Sequence, residues 1–306
     1  MRRIFIAFAL LACAALPARA QLVPQVRAAA HSGDFTRAER IVSDFRAARG
    51  VTPELVLAVS WIARDAQAAK AWDHAERFAA EARRLALAEL KKRPLDAEPN
   101  LPLALGASIE VQAHTLAARN ARAEAVAFLE RELKQWRGTS IRARIQKNLH
   151  LLSLVGKPAP ALEFTEYIGA KPPTLAELKG RPVILFFWAH WCGDCKQQKA
   201  VLEQLEREYA AQGLVILGPT QRYGYAAAGA EATPEQELKY ITAVRESFYA
   251  GLRMAVPVSE AAFNAWGAST TPTLAFVDRS GIVRLYNPGR LSYEKLAPVV
   301  QEFTRH

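Results

Sequence analysis

The pattern of hydrophobic and polar positions divides the 306-residue chain into two unlike halves. Residues 22–150 are rich in Ala, Leu, Glu and Arg, and their apolar residues recur at helical spacing without any run typical of a strand. From residue 155 onward, short apolar runs alternate with helical patterns. The pattern therefore predicts an all-α region followed by an α/β region, with the boundary in the Gly/Pro segment 155–158.

Three segments of the first half share one pattern, in which a break is followed by the second helix of a helical hairpin. Their equivalent alanines are Ala38, Ala75 and Ala125, which are 37 and 50 residues apart. A regular tetratricopeptide repeat has a period of about 34 residues, so we predict a degenerate, TPR-like array of α-hairpins over residues 21–154. Such an array is either a platform for a protein partner or an accessory domain packed on the second half, and the sequence leaves both open.

Residues 1–20 have the pattern of a cleavable export signal. Two arginines precede the apolar stretch 4–16, and a small-residue cleavage site ends at Ala20. The alternatives are an uncleaved N-terminal anchor and a lipoprotein signal cut before Cys13. We prefer cleavage after Ala20 and expect export to the periplasm or cell envelope.

The basic excess of the chain, +10 in total, belongs mainly to the first half, where residues 21–155 hold 21 basic and 15 acidic side chains. It could steer acidic partners or face an anionic membrane surface, although a solvated Arg-rich surface is the simpler interpretation. There is no nucleic-acid motif and no aromatic interleaving of the basic runs, so we expect no nucleic-acid partner.

The second half contains a strand, a turn and a helix that carry thiols. The apolar run Val183–Trp188 predicts a strand buried on both faces, and Cys192-Gly193-Asp194-Cys195 then opens a helix. At the helix start, free N–H groups and the helix dipole stabilise a thiolate at Cys192. Cys195 lies one turn later on the core-facing stripe. An exposed Cys192 could attack a disulfide, and the sheltered Cys195 could resolve the mixed disulfide.

The competing interpretations are two ordinary buried cysteines and half of a zinc site. Zinc sites in proteins need four ligands, and the chain has no second CxxC and no HxxxH. We therefore expect redox chemistry, with no metal and no cofactor. Once Cys13 leaves with the signal, all thiol chemistry belongs to Cys192 and Cys195.

The motifs around this pair resemble the thioredoxin superfamily, and most closely its TlpA/ResA-like extracytoplasmic members. They are Val-Gly-Lys-Pro-Ala-Pro at 155–160, Leu-Lys-Gly-Arg-Pro at 178–182 and Phe-Trp-Ala-His-Trp-Cys at 187–192. The resemblance covers residues 156–306. It implies a thioredoxin-like α/β fold over 155–306, thiol–disulfide oxidoreductase activity in cell redox homeostasis, and a redox-active Cys192–Cys195 disulfide.

The same resemblance implies further site residues and partners. The Thr271–Pro272 bond would be cis, and the Thr271 backbone would receive an extended substrate segment. Trp191 would shield the cysteines, and Gly193 and Asp194 would complete the CxxC turn. Protein disulfides or dithiols would be the substrates, with a membrane thiol reductant as electron donor.

Asp194 stands where proline is commonest in the family. Its charge disfavours the Cys192 thiolate, which raises the pKa of that thiol and favours a reductase, whereas Lys196 and the helix dipole oppose this effect.

The acids that family members carry under the site correspond here to Phe186 and Gln198, neither of which is acidic. The group that moves the Cys195 proton is thus left open between water and Gln198. His190 occupies a variable turn position, and we interpret it as incidental.

Outside the CxxC region, the pattern predicts a first strand at 162–167, a second buried strand at 214–217 and a helix from Thr233 to about Tyr249. The connection between the second strand and this helix is long, and parallel strand ends place it near the thiols. The segment 219–233 would either shape substrate choice or be a surface insertion.

The sequence therefore predicts an exported thiol–disulfide oxidoreductase, most simply a reductase. Two other classes stay open. A non-catalytic scaffold would act through the helical region. A peroxiredoxin-like thiol enzyme would need Thr or Ser three residues before its cysteine, where this chain has Ala189.

Overall fold

The computed structural model describes residues 21–304. The predicted export signal at 1–20 and Cys13 lie outside these residues. Within residues 21–304, no helix has the length and apolar character needed to cross a membrane.

The first half is entirely helical, as predicted. Its helices are α1 Leu22–His31, α2 Phe35–Arg49, α3 Pro53–Ala68, α4 Trp72–Glu89, α5 Asn100–Ala118, α6 Arg122–Gln135 and α7 Arg142–Ser153. Local sequence sets their starts: Thr52 caps α3 by accepting the Leu55 N–H, and Pro53 occupies the first turn. A single 3-10 turn, Leu95–Ala97, lies in the connection between α4 and α5.

One hairpin turn occurs three times in this half. Each copy places one residue in the left-handed region, and the next N–H donates to a carbonyl five residues back. The left-handed residues are Gly33, Lys70 and Asn120. These turns precede α2, α4 and α6, the three helices that the sequence pattern identified as second helices of hairpins. The unequal spacing of the turns agrees with a degenerate array, and the likeness to tetratricopeptide repeats stays a prediction.

The second half contains six strands and four helices in residues 155–304. They are β1 Glu166–Ile168, β2 Val183–Phe187, α8 Gly193–Tyr209, β3 Val215–Leu217, α9 Pro234–Phe248, β4 Val256–Val258, α10 Glu260–Trp266, β5 Thr273–Val277, β6 Val283–Pro288 and α11 Tyr293–Thr304. The main sheet has the order β3-β2-β5-β6, in which β2 is parallel to β3 and antiparallel to β5. All five residues of β2 are buried, because apolar clusters cover both faces of the sheet.

The prediction of a first strand at 162–167 is wrong in position. The strand forms only at Glu166–Ile168, and it pairs with β4 outside the main sheet. The reason lies in the preceding backbone, whose carbonyls accept side-chain donors instead of a neighbouring strand: Trp266 Nε1 donates to Ala161 O at 3.2 Å, and Ser259 Oγ donates to Glu163 O. Side-chain donors thus satisfy backbone carbonyls that would otherwise pair with a neighbouring strand.

The two halves meet where α7 packs on α10. His150 Nε2 lies 2.9 Å from the Ala265 carbonyl oxygen, and the His150 ring meets the edge of Tyr286. Gly267 makes the closest approach, because a Cβ atom there would lie 2.3 Å from the backbone nitrogen of Lys147. The predicted boundary segment is also held: the Gly156 N–H donates to the Val283 carbonyl at 2.8 Å.

Candidate functional site

Cys192 is the N-cap residue of α8, and its Sγ accepts the Cys195 N–H at 3.0 Å. The two cysteines form a disulfide, with their Cα atoms 5.2 Å apart. The helix begins at Gly193 because the turn after β2 leaves its first N–H groups free, and the Cys192 sulfur occupies the position of a capping oxygen. A thiolate at Cys192 would therefore meet an N–H donor and the positive end of the helix dipole.

The expectation that Cys192 is exposed is wrong for the disulfide form. Cys192 is 3% exposed and Cys195 is fully buried. Both sulfurs pack in one apolar cluster with Trp188 and Ala189, because the bond to Cys195 draws the Cys192 side chain towards the core. Trp191, in contrast, is 50% exposed and meets the Tyr223 ring edge-on at 5.5 Å. The exposed feature next to the disulfide is thus the indole of Trp191.

The Thr271–Pro272 peptide bond is cis, as the resemblance implies. Thr273 lies opposite Phe187 in the antiparallel pairing of β5 with β2, so the loop before β5 and the turn after β2 emerge at one edge of the sheet. Pro272 is buried, and its carbonyl accepts the Gly289 N–H at 2.7 Å. The Thr271 hydroxyl is buried and has no hydrogen-bond partner among residues 21–304.

Charged side chains surround the start of α8. Asp194 is exposed, and its carboxylate lies 3.8 Å from Nε of Arg290. The Lys196 amino group lies 3.9 Å from the centroid of the Phe248 ring. Arg290 therefore joins Lys196 in opposing the effect of Asp194 on Cys192, and the sequence pattern had not indicated this second cation.

Both ends of the Gln198 side-chain amide are hydrogen-bonded to the backbone, which argues against a part for Gln198 in proton transfer. It is 1% exposed, its Nε2 donates to the Leu291 carbonyl at 3.0 Å, and its Oε1 accepts the Leu291 N–H at 2.9 Å. Both ends of the amide hold the chain before α11 against α8.

The interpretation of His190 as incidental to the thiol chemistry stays a prediction, but the structure gives this residue a buried partner that the turn pattern did not indicate. Its side chain is fully buried, and its Nε2 lies 3.2 Å from Oε1 of Glu237, which is itself 1% exposed. Burial lowers the pKa of His190, although the hydrogen bond and the charge of Glu237 act in the opposite direction. A neutral imidazole that donates through Nε2 fits this geometry. Three tyrosine rings meet the imidazole edge-on, and they are Tyr223, Tyr225 and Tyr240.

Glu237 also holds the loop at 219–233. Its Oε1 accepts the Tyr223 N–H at 2.6 Å, and its Oε2 accepts the Gly224 N–H at 2.9 Å. A second hydrogen bond comes from Trp188, whose backbone N–H donates to the Pro219 carbonyl at 3.1 Å. The loop is thus fastened beside the CxxC turn, as the strand order predicted.

Sequence reasoning missed Glu237, although the chain contains a signal for it. Glu237 falls on the same helical stripe as Ile241 and Val244, which are buried on α9. An acid on an apolar stripe indicates a buried partner, because an unpaired buried carboxylate is costly.

The described residues, 21–304, contain no group of three or more His, Cys, Asp or Glu side chains placed to hold a metal ion. The two sulfurs of the Cys192–Cys195 disulfide are the redox-capable groups at the start of α8. The strand-turn-helix with its CxxC disulfide and the cis-proline loop at the same sheet edge define the C-terminal half as a thioredoxin-like domain.

Comparison with known proteins agrees with this class. Residues 155–286 match the model of the AhpC/TSA family. The thiol:disulfide interchange protein DsbE of Pseudomonas fluorescens biotype C is 29% identical over 131 residues, which are 43% of this chain and 65% of the relative. The thiol-disulfide oxidoreductase ResA of Bacillus anthracis is 25% identical over 150 residues, covering 49% of this chain and 79% of the relative.

A solved structure shows a similar extent. The thiol:disulfide interchange protein, thioredoxin family protein from Chlorobium tepidum TLS covers 49% of this chain and 97% of its own, with 21% identity and a TM-score of 0.36. The sequence comparisons relate the C-terminal half of the chain to thiol–disulfide oxidoreductases named DsbE and ResA, and the all-helical half precedes it.

Proposed function

We propose that this protein is an exported thiol–disulfide oxidoreductase that reduces protein disulfides in the cell envelope. The observation that carries the proposal is the Cys192–Cys195 disulfide at the start of α8, beside the cis Thr271–Pro272 bond. The relatives named DsbE and ResA support the reaction class. Export rests on the pattern of residues 1–20, and the predicted boundary between residues 154 and 155 separates a helical unit from the redox unit.

In the proposed reaction, the reduced Cys192 thiolate attacks one sulfur of a substrate disulfide. A Cys192–substrate mixed disulfide forms, and the other substrate sulfur leaves as a thiolate that takes up a proton. The Cys195 thiolate then attacks the Cys192 sulfur, which releases the second substrate thiolate and forms the Cys192–Cys195 disulfide. The donor, a membrane thiol reductant, supplies two electrons and two protons to regenerate the dithiol.

The residues around the sulfurs have proposed roles in this cycle. The Cys195 N–H, 3.0 Å from the Cys192 sulfur, stabilises the attacking thiolate. The backbone of Thr271 receives an extended substrate segment next to Pro272. Trp191 offers an exposed aromatic surface to the substrate polypeptide. Gly193 and Asp194 form the first turn of α8, where Asp194 is balanced by Arg290.

We further propose that the segment 219–233 selects substrates. The support is its attachment: Glu237 and the Trp188 backbone fasten it beside the CxxC turn, and Tyr223 of this segment packs on Trp191. A substrate that contacts Trp191 would also contact this loop.

The test is the reduction of insulin disulfides driven by dithiothreitol, followed as turbidity. The wild-type protein is expected to accelerate the reaction, and Cys192→Ser is expected to lose at least about 100-fold of the added rate, since its attacking group is gone. An equal rate for both proteins would leave the non-catalytic scaffold as the better account. Reduction of hydrogen peroxide at the expense of the dithiol, without reduction of insulin, would favour the peroxiredoxin-like class.

A further inference from the structure

A cleft between the helical half and the redox half runs up to the cis-proline loop. It consists of two neighbouring cavities, of about 630 and about 340 Å³, which share Ser140 and Ser269 in their linings. The larger cavity also reaches Gln221 of the 219–233 segment, and the smaller one reaches Thr270. Since Thr270 directly precedes Thr271, the helical half forms one wall of the space beside the residue proposed to receive substrate.

The wall of the smaller cavity carries more cations than anions. It is lined by Arg64, Arg144 and Lys147, with Glu110 as its only acid. Arg144 Nε and Lys147 Nζ both bind Oε2 of Glu110, at 3.0 and 3.1 Å, and these three side chains are between 14% and 17% exposed. One carboxylate therefore serves two largely buried cations, and together with Arg64 the four charged side chains of this wall sum to +2.

Arg64 is the cation of this wall that does not pair with Glu110. Among residues 21–304 it forms no ion pair, and its guanidinium carbon lies 4.3 Å from the centroid of the Trp61 ring. Burial lowers the pKa of Arg64, and the charge of Arg144 adds to this effect, whereas the charges of Glu110 and Asp65 oppose it. Burial also lowers the pKa of Lys147, whereas Arg144 and Lys147 outweigh the burial of Glu110 and hold its pKa at about 2. Glu110 is thus fully ionised already, and the surplus positive charge has no partner inside the cluster.

A surplus of partly desolvated cations in a cleft is the arrangement that attracts and binds an anion. We infer that this cleft binds an acidic side chain of the substrate polypeptide, so that preferred substrates carry Asp or Glu within a few residues of the reactive cysteine. The inference rests on the proposed reductase function and names the class of substrate. An extended polypeptide advances about 3.3 Å per residue, so a segment lying on Thr271 can place a nearby acidic residue at Thr270 and the cationic wall.

The test compares two disulfide-bonded peptides that differ only in their flanks, one with Asp and Glu and the other with Asn and Gln. The reduced wild-type protein is expected to reduce the acidic peptide with a kcat/KM about tenfold higher, which corresponds to one charge-assisted contact. The ratio should fall towards one in 1 M NaCl, because salt screens the attraction. Arg64→Gln is expected to lower the ratio several-fold, and Arg64→Lys to restore most of it.

Arg40→Gln is the matched control, since it removes the same charge from an exposed position on α2 outside the cleft. This variant should keep the wild-type ratio. Thermal unfolding of each variant separates a folding defect from a binding defect.

The outcomes distinguish this inference from the function on which it rests. Reduction of both peptides and of neutral 2-hydroxyethyl disulfide, with a ratio near one, would overturn the inference while the reductase stands. Failure to reduce any of the three disulfides would overturn both. Calorimetric binding of inorganic phosphate that Arg64→Gln abolishes, together with equal rates on the two peptides, would assign the cleft to a free anion and contradict the inference.

Discussion

Replacing Glu237 by Gln tests the attachment of the 219–233 segment most sharply, because the side chain keeps its size and loses its charge. The carboxylate accepts the N–H groups of Tyr223 and Gly224 at 2.6 and 2.9 Å and binds His190 Nε2 at 3.2 Å. A glutamine has one acceptor oxygen, and its NH₂ group would face an N–H donor. At least one of the two backbone N–H groups would then lose its acceptor.

The magnitude follows from these contacts. A hydrogen bond to a charged group contributes about 1.5–3 kcal/mol, and the substitution weakens or removes the bonds from Tyr223, Gly224 and His190. We therefore expect Glu237→Gln to weaken the closed loop by about 3 kcal/mol, which is about a 100-fold change in its opening equilibrium. If the loop opens without the rest of the domain, the loss in the free energy of global unfolding will be smaller than this value.

Hydrogen exchange of the amides of Tyr223 and Gly224, read by NMR or on short peptides, measures the opening directly. Glu235→Gln is the matched control, because Glu235 lies in the same first turn of α9 but is exposed. Exchange about 100-fold faster in Glu237→Gln, with wild-type exchange in Glu235→Gln, is the expected result. Equal exchange in all three proteins would show that the Glu237 carboxylate does not hold the loop.

Three further outcomes are expected. Cys195→Ser should accumulate a mixed disulfide between Cys192 and a protein substrate, visible by mass spectrometry, because the resolving thiol is gone; free turnover by this variant would contradict the assigned order of attack. Gly267→Ala should destabilise the protein by about 3 kcal/mol or more in urea unfolding, because a Cβ would meet the backbone of α7. Gly281 has a similar positive φ but open space around it, so Gly281→Ala should cost only about 1 kcal/mol. Burial lowers the pKa of His150 from 6.5, so the unfolded chain binds a proton more readily than the folded protein. The free energy of unfolding should therefore fall as pH drops below about 6.5, and His150→Gln should flatten this dependence. An unchanged slope in the variant would contradict a buried neutral imidazole at this position.

Local patterns were sufficient for much of the fold. The apolar run before Cys192 and the helical stripe through Cys195 predict a strand and a helix, because burial and period are properties of neighbouring residues. Thr52 and Pro53 likewise mark the start of α3. The cis Thr271–Pro272 bond came from the resemblance and not from the local pattern.

What the sequence did not predict depends on residues far apart in the chain. His190 and Glu237 are 47 positions apart, and His150 meets a carbonyl 115 positions away. No periodicity reports such contacts. The burial of Cys192 was missed for a related reason: a helix start is usually exposed, but the packing of a whole cluster around the disulfide decides its exposure. The surplus charge at Arg64 likewise becomes visible only when three helices bring the charges together.

The reduction potential of the Cys192–Cys195 pair decides whether this protein can act as a reductase. Trp191, half exposed beside the disulfide, serves as the fluorescent probe in defined thiol buffers. The account predicts a single two-electron transition with a midpoint near or below about −270 mV, the range of thioredoxin, as a reductase requires. A midpoint near about −120 mV, the range of a strong oxidant, would contradict the proposed direction of electron flow, and the absence of any transition would contradict a redox function for the pair.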